Sequence, residues 1–138
     1  MKISNEGIEL IKKFESCRYE AYQDSAGVWT IGYGHTNGVY KNLTITEDTA
    51  TTLLKQDLIK AELAVMKYNK KYHWKQNEFD ALVSFAFNIG SINQLTAKGS
   101  RTKKEISAKI PEYRKAGGKV LEGLVRRRAA EKELFDRV

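Results

Sequence analysis

The sequence predicts an α+β fold: a short amphipathic helix, a small antiparallel β segment, then helices to the end of the chain. Three observations carry this. Apolar residues recur at helical spacing before about residue 16 and again after about residue 46. Between them lies a run rich in tyrosine, valine and glycine. Within that run, Asn37-Gly38 is a strong hairpin-turn signal.

The first helix spans about Ser4 to Ser16, with Ile8, Ile11 and Phe14 spaced by three and Leu10 beside them. Ser4 or Asn5 is a suitable N-cap. Glu15 then falls at the helix end, where the negative end of the dipole disfavours an anion. That placement costs little for a solvated glutamate and helps a glutamate that must hold a proton.

Residues from about Arg18 to Leu43 contain the strand formers Tyr19, Tyr22, Val28, Trp29, Ile31, Tyr33, Val39 and Tyr40, broken by Asp24-Ser25-Ala26-Gly27, Gly32, Gly34 and Asn37-Gly38. A three-stranded antiparallel sheet is expected, too small to stand without a helix against it.

Thr46 is a good N-cap for the next helix, with Glu47 and Asp48 in its first turn. Leu53, Leu54, Asp57, Leu58, Ala61 and Val65 give it one inward stripe over roughly 20 residues. A further helix covers Gln76 to Ile89, with Phe79, Leu82, Val83, Phe85, Ala86 and Ile89 inward and Gly90 as its stop. Thr102-Lys103-Lys104-Glu105 is a capping box, and Pro111 ends or kinks the helix it opens. Gly117-Gly118 punctuates, and the last helix runs from Leu121 to about Asp136. The expected division is one domain, 1–138, with a β lobe at about 17–45 and a helical lobe made of about 46–138 plus the N-terminal helix.

Composition narrows the function. The chain has 138 residues, 41% hydrophobic and 30% charged, enough to bury a core without staples. Cys17 is the only cysteine, so no internal disulfide forms. Two residues after Glu15, it reads either as a reactive thiol or as a partly buried small apolar residue; no histidine close in sequence supports the former. No apolar run matches a signal peptide or a membrane span, so the expectation is a protein held in the cytoplasm. The net charge of +7 favours polyanionic partners without choosing among nucleic acid, anionic membranes and anionic wall polymers.

The chemistry-bearing residues cluster around the β segment. Glu15 ends the first helix, Asp24 sits in a turn, and Thr30 follows on the next strand. Cleaving a glycosidic bond requires two carboxyls in different roles, one a proton donor and one that positions water or attacks the sugar. A threonine hydroxyl can share in orienting the water. Taken alone, the same residues fit an Asx turn and a solvated helix end.

Phe14-Glu15, Ala21-Tyr22-Gln23-Asp24 and Trp29-Thr30-Ile31-Gly32-Tyr33-Gly34-His35-Thr36 together resemble the active-site region of the bacteriophage lysozymes, the endolysins of glycoside hydrolase family 24. That family carries a Glu, an Asp nine positions on and a Thr six further, the spacing of Glu15, Asp24 and Thr30. The run from Gln76 to Gly90 is similar to the family's central helix, and Ala116 to Arg128 to its closing motif. About Ser91 to Lys115 does not match. The resemblance implies a lysozyme-like fold, with a β lobe and a larger helical lobe joined by a long helix and an active-site cleft between them. It implies a catalytic triad of Glu15, Asp24 and Thr30. The implied reaction is hydrolysis of the β-1,4 bond between N-acetylmuramic acid and N-acetylglucosamine in peptidoglycan, by a monomer without cofactor, with a holin opening the membrane. A lytic transglycosylase and a non-catalytic basic wall-binding module are the alternatives.

Three further residues have two readings each. His35 is either a metal ligand or base, or structural. With His73 as the only other histidine and no Cys/His cluster, no metal site is expected. The resemblance implies instead an ion pair between His35 and Asp57. Asn88, on an apolar helix face, is expected to be at least half buried, as a core amide or as a residue touching sugar or Glu15. Arg126-Arg127-Arg128 invites a nucleic-acid reading, yet Glu122 and Glu131 supply helical partners and no DNA-binding motif surrounds it. The resemblance implies that one of these arginines, Arg127 among them, reaches Glu15 and fixes it.

Overall fold

The computed structural model describes residues 1–138. In chain order it contains α1 (Asn5–Phe14), β1 (Arg18–Gln23), β2 (Trp29–Gly32), α2 (Glu47–Met66), α3 (Asn69–Tyr72), α4 (Gln76–Ile89), α5 (Lys103–Lys109), a 3-10 turn (Ile110–Glu112), β3 (Lys115–Ala116), β4 (Lys119–Val120) and α6 (Glu122–Asp136). The chain divides into two compact units, Ile11–Ile59 and the remainder, so that the division falls inside α1 and α2. No helix is long and apolar enough to cross a membrane.

In the first unit, β1 and β2 pair antiparallel with Tyr22 opposite Thr30 and Gln23 opposite Trp29. The expected third strand is reduced to the bridge Glu20↔Thr44, flanked by Ala21 N–H to Leu43 O and Ile45 N–H to Tyr19 O, both 2.9 Å. Val39 and Tyr40 join no strand. A turn does form at Asn37-Gly38, with the Val39 N–H 3.5 Å from Thr36 O, but it joins no two strands; the tight reversal after β2 is the one in which Ile31 and His35 exchange both backbone bonds at 2.9 Å around Gly32-Tyr33-Gly34. Tyr33 and His35 are each bonded to α2. Thr46 caps α2 by accepting from the Thr49 N–H at 3.2 Å. Ile11, Ile31, Ala50, Leu54 and Leu58 form the core of this unit.

The second unit is built on α4, which packs against α6. Phe79, Leu82, Val83, Phe85 and Ala86 are buried as their spacing predicts. Ile89, expected inward, is 43% exposed, because the last turn of α4 runs past the core before Gly90 ends the helix. The start of α1 is fastened to α4 through Asp80, which accepts from the Ser4 N–H at 3.0 Å and from the Ser4 hydroxyl. A Cβ on Gly7 would lie 2.8 Å from Asp80, so this close approach requires glycine. The capping box at Thr102 and Glu105 is complete, and Pro111 sits in the 3-10 turn that follows α5. Two elements were not foreseen: the four-residue α3 and the hairpin β3–β4, closed by Gly117-Gly118.

Candidate active site

Glu15, Asp24 and Thr30 all belong to the β-containing unit. The Glu15 N–H still bonds Ile11 O at 3.0 Å, so the residue closes the last turn of α1 with its side chain half-buried. Asp24 heads a five-residue reversal from β1 into β2, in which its N–H meets Val28 O and its carbonyl accepts from Gly27, both at 2.9 Å. Gly27 makes this possible with φ +83, a conformation that L side chains rarely adopt. The Asp24 Oδ1 accepts from the N–H groups of Ala26 and Val28, each at 2.9 Å.

The turn-forming reading of Asp24 is therefore correct for one of its oxygens. With both amides on Oδ1, Oδ2 of this exposed residue accepts from no protein donor. Thr30, on β2 and 4% exposed, donates its hydroxyl to Val28 O at 2.9 Å. That bond uses the only hydroxyl hydrogen and leaves Oγ1 its acceptor lone pairs. Val28 thus orients both residues, through its N–H for Asp24 and its carbonyl for Thr30.

His35 is 8% exposed. Its Nδ1 lies 2.9 Å from Asp57 Oδ2 on α2, and its Nε2 lies 2.8 Å from Asn37 O. Both ring nitrogens face oxygen atoms that can accept a hydrogen bond. The histidine therefore ties the β segment to α2. No cluster of residues suited to hold a metal ion exists.

Glu47 has a role that the sequence did not reveal beyond its place in the first turn of α2. Its carboxylate accepts from Tyr19 Oη at 2.7 Å, Tyr33 Oη at 2.8 Å, Lys12 Nζ at 3.1 Å and Thr51 Oγ1 at 3.1 Å. The tyrosine hydroxyls, Tyr19 foremost, hold Glu47 far below the ordinary carboxylate value, at about 2. In return, the bond to Glu47 pushes Tyr19 up to about 12, and burial together with Glu47 raises Tyr33. Both phenols stay protonated as donors. Cys17, a free half-buried thiol, lies close enough to contribute to both tyrosine shifts.

The arginine triplet separates by direction. Arg126 is exposed and lies 3.9 Å from Glu122. Arg127 is buried, with Nε 3.3 Å from Glu131 Oε2 and Nη2 donating to Ser84 O at 3.2 Å. Arg128 is wholly buried; its Nη2 donates to Glu131 Oε2 at 2.9 Å and its guanidinium lies over the Phe85 ring at 4.9 Å. Arg128 Nε sits 2.7 Å from Glu131 Oε1 without the alignment of a hydrogen bond, and Nη1 has no acceptor. Burial opposes the charge on both partners, pushing Glu131 up and Arg128 down. Asn88 departs from expectation: it is exposed on the last turn of α4, beyond the stripe that the core covers, and is no core amide.

This architecture is lysozyme-like. It aligns with the muramidase domain of SpmX from Asticaccaulis excentricus at TM-score 0.87 and 38% identity, covering 99% of both chains. A P22 lysozyme mutant aligns at TM-score 0.82 and 34% identity, covering 98% of both chains. The sequence model of the phage lysozyme family matches residues 12–131, and the chain belongs to that family. Its relatives include the endolysin of Acyrthosiphon pisum secondary endosymbiont phage 1, 38% identical over 99% of both proteins. The endolysin of Lactococcus phage c2 is 41% identical over 99% of this chain, which spans 61% of that protein's length.

Proposed function

We propose that the protein is a muramidase that hydrolyses the β-1,4 bond between N-acetylmuramic acid and N-acetylglucosamine in bacterial peptidoglycan. The observation that carries this is the pair of acceptors, Asp24 Oδ2 and Thr30 Oγ1, set by the two sides of Val28. In this reading Glu15 gives its proton to the glycosidic oxygen as the bond to the anomeric carbon breaks. A water held by Asp24 and Thr30 supplies the oxygen that bonds to that carbon, and its proton passes to a carboxylate. The net charge of +7 suits an anionic wall.

Glu15→Gln keeps the shape of the side chain but has no carboxylic proton to donate. It should clear peptidoglycan turbidity about 100-fold more slowly than wild type, or worse, with an unchanged melt. Activity within about threefold of wild type would remove Glu15 from the role of acid. Product analysis separates hydrolysis from transglycosylation: reducing ends support the water-holding role, and anhydro ends refute it. Within the same reading the enzyme reaches the wall after a separate holin opens the membrane. Expression with and without a permeabilising agent tests that step.

A further inference from the structure

We propose that Glu47 is a positioning residue for this reaction, clamping the segments that carry Glu15 and Thr30 to the start of α2 without itself touching substrate. The inference rests on the hydrolytic reading above. Glu15 lies at the junction of α1 and β1, where residues 15–17 belong to neither element. Such a junction pivots unless both of its ends are held.

Glu47 holds both. Lys12 lies three residues before Glu15 and reaches Oε1 at 3.1 Å; Tyr19 lies four residues after it and reaches Oε2 at 2.7 Å. Tyr33, three residues after Thr30, donates to the same carboxylate at 2.8 Å and is 8% exposed. Lys12 also lies over the Tyr33 ring at 5.6 Å, so the three donors form one connected group. Thr51, one turn along α2, fixes the carboxylate from its own helix at 3.1 Å.

Favourable placement in a helix's first turn does not account for this arrangement. The Asp48 carboxylate enjoys the same dipole and accepts from no side chain, whereas the Glu47 carboxylate gathers four donors, three of them from outside its own helix. Charge-assisted bonds to a carboxylate are the stronger kind, and the tyrosines bring rigid rings rather than flexible stems. Small misplacements of a reacting group cost large factors in rate, so a clamp on both sides of the acid acts on turnover rather than on affinity.

The test is steady-state kinetics on a soluble peptidoglycan oligosaccharide, at a temperature where melts show every variant folded. Glu47→Ala should lower kcat about tenfold or more with KM within about twofold of wild type. Glu47→Gln, which keeps one acceptor oxygen for the tyrosines, should recover part of that loss. Tyr19→Phe and Tyr33→Phe, each removing one hydroxyl, should each lower kcat by about two- to fivefold. A folded Glu47→Ala variant with wild-type kcat would overturn the proposal, as would a rise in KM without a fall in kcat. Should the alanine variant not fold, unchanged kcat in both phenylalanine variants would refute the proposal equally. A wild-type protein inactive on the substrate would sink the hydrolytic reading and this proposal together. An active wild type with an unaffected alanine variant would sink this one alone.

Discussion

Replacing Glu131 with glutamine should be among the most damaging single substitutions in the helical unit. Glu131 Oε2 accepts from Ser84 Oγ at 2.6 Å, Arg128 Nη2 at 2.9 Å and Arg127 Nε at 3.3 Å. The residue is wholly buried, as is Arg128, and Arg127 is 3% exposed. The amide preserves volume but removes the carboxylate that these three donors share and turns an N–H₂ donor toward guanidinium donors. Stranding buried charge in this way costs about 3–5 kcal/mol. For a domain of this length, 1 kcal/mol corresponds to roughly 3–5 °C in Tm, so the melt should fall by about 10–20 °C. Circular dichroism melts at neutral pH would measure this. A double variant, Arg128→Met with Glu131→Leu, removes the wholly buried arginine together with the carboxylate, so that among the charged groups only Arg127 loses a partner, and should melt above Glu131→Gln. A single variant melting within about 3 °C of wild type would refute the reasoning. So would a double variant melting no higher than the single.

Two other expectations follow from the ion pairs of the β-containing unit. Asp57→Asn removes the charge opposite His35, whose partner lies 2.9 Å away and is 30% exposed, and should lower stability by about 1 kcal/mol, or roughly 3–5 °C in Tm. An unchanged melt would show that the contact contributes nothing. Glu47 is held at about 2 in the folded protein, below its ordinary value of 4.5, so its contribution is present above pH 4.5 and lost as the pH falls toward 2. Because its side chain is 45% exposed, solvent screening limits that contribution to about 1 kcal/mol or less. Melts of Glu47→Gln and wild type should accordingly differ at pH 6 and converge near pH 2. A constant gap across that range would contradict the assignment.

What the sequence made legible is local. The caps at Thr46 and Thr102 and the stop at Gly90 were readable because each depends on residues within one turn of the chain. The apolar stripe of α4 was readable for the same reason, up to the point where the core ends and leaves Ile89 and Asn88 outside it. The spacing of Glu15, Asp24 and Thr30 marked the candidate site through family resemblance. That Asp24 divides its two oxygens between turn and solvent needed the backbone of Val28. Position 131 shows the limit well. Arg127 and Glu131 have the i,i+4 pattern of a solvated helical pair, and only the packing of α6 on α4 buries them. Glu47 gave no sign of its partners, since Tyr19 and Tyr33 lie 28 and 14 residues away. The hairpin at 115–120 was too short for any periodicity, and Gly117-Gly118 read simply as punctuation.

The Asx turn at Asp24 means that the fold and the chemistry make separate demands on one side chain. Folding needs an oxygen at Oδ1, to receive the amides of Ala26 and Val28. An asparagine supplies that oxygen as well as an aspartate does. Only at the other atom do the two residues part, where the amide presents hydrogens in place of lone pairs. A chain with asparagine at this position would keep the same loop and the same β1–β2 register, while the solvent-facing atom changed from acceptor to donor. The fold therefore does not distinguish aspartate from asparagine at this position, and whatever retains a carboxylate there acts through Oδ2.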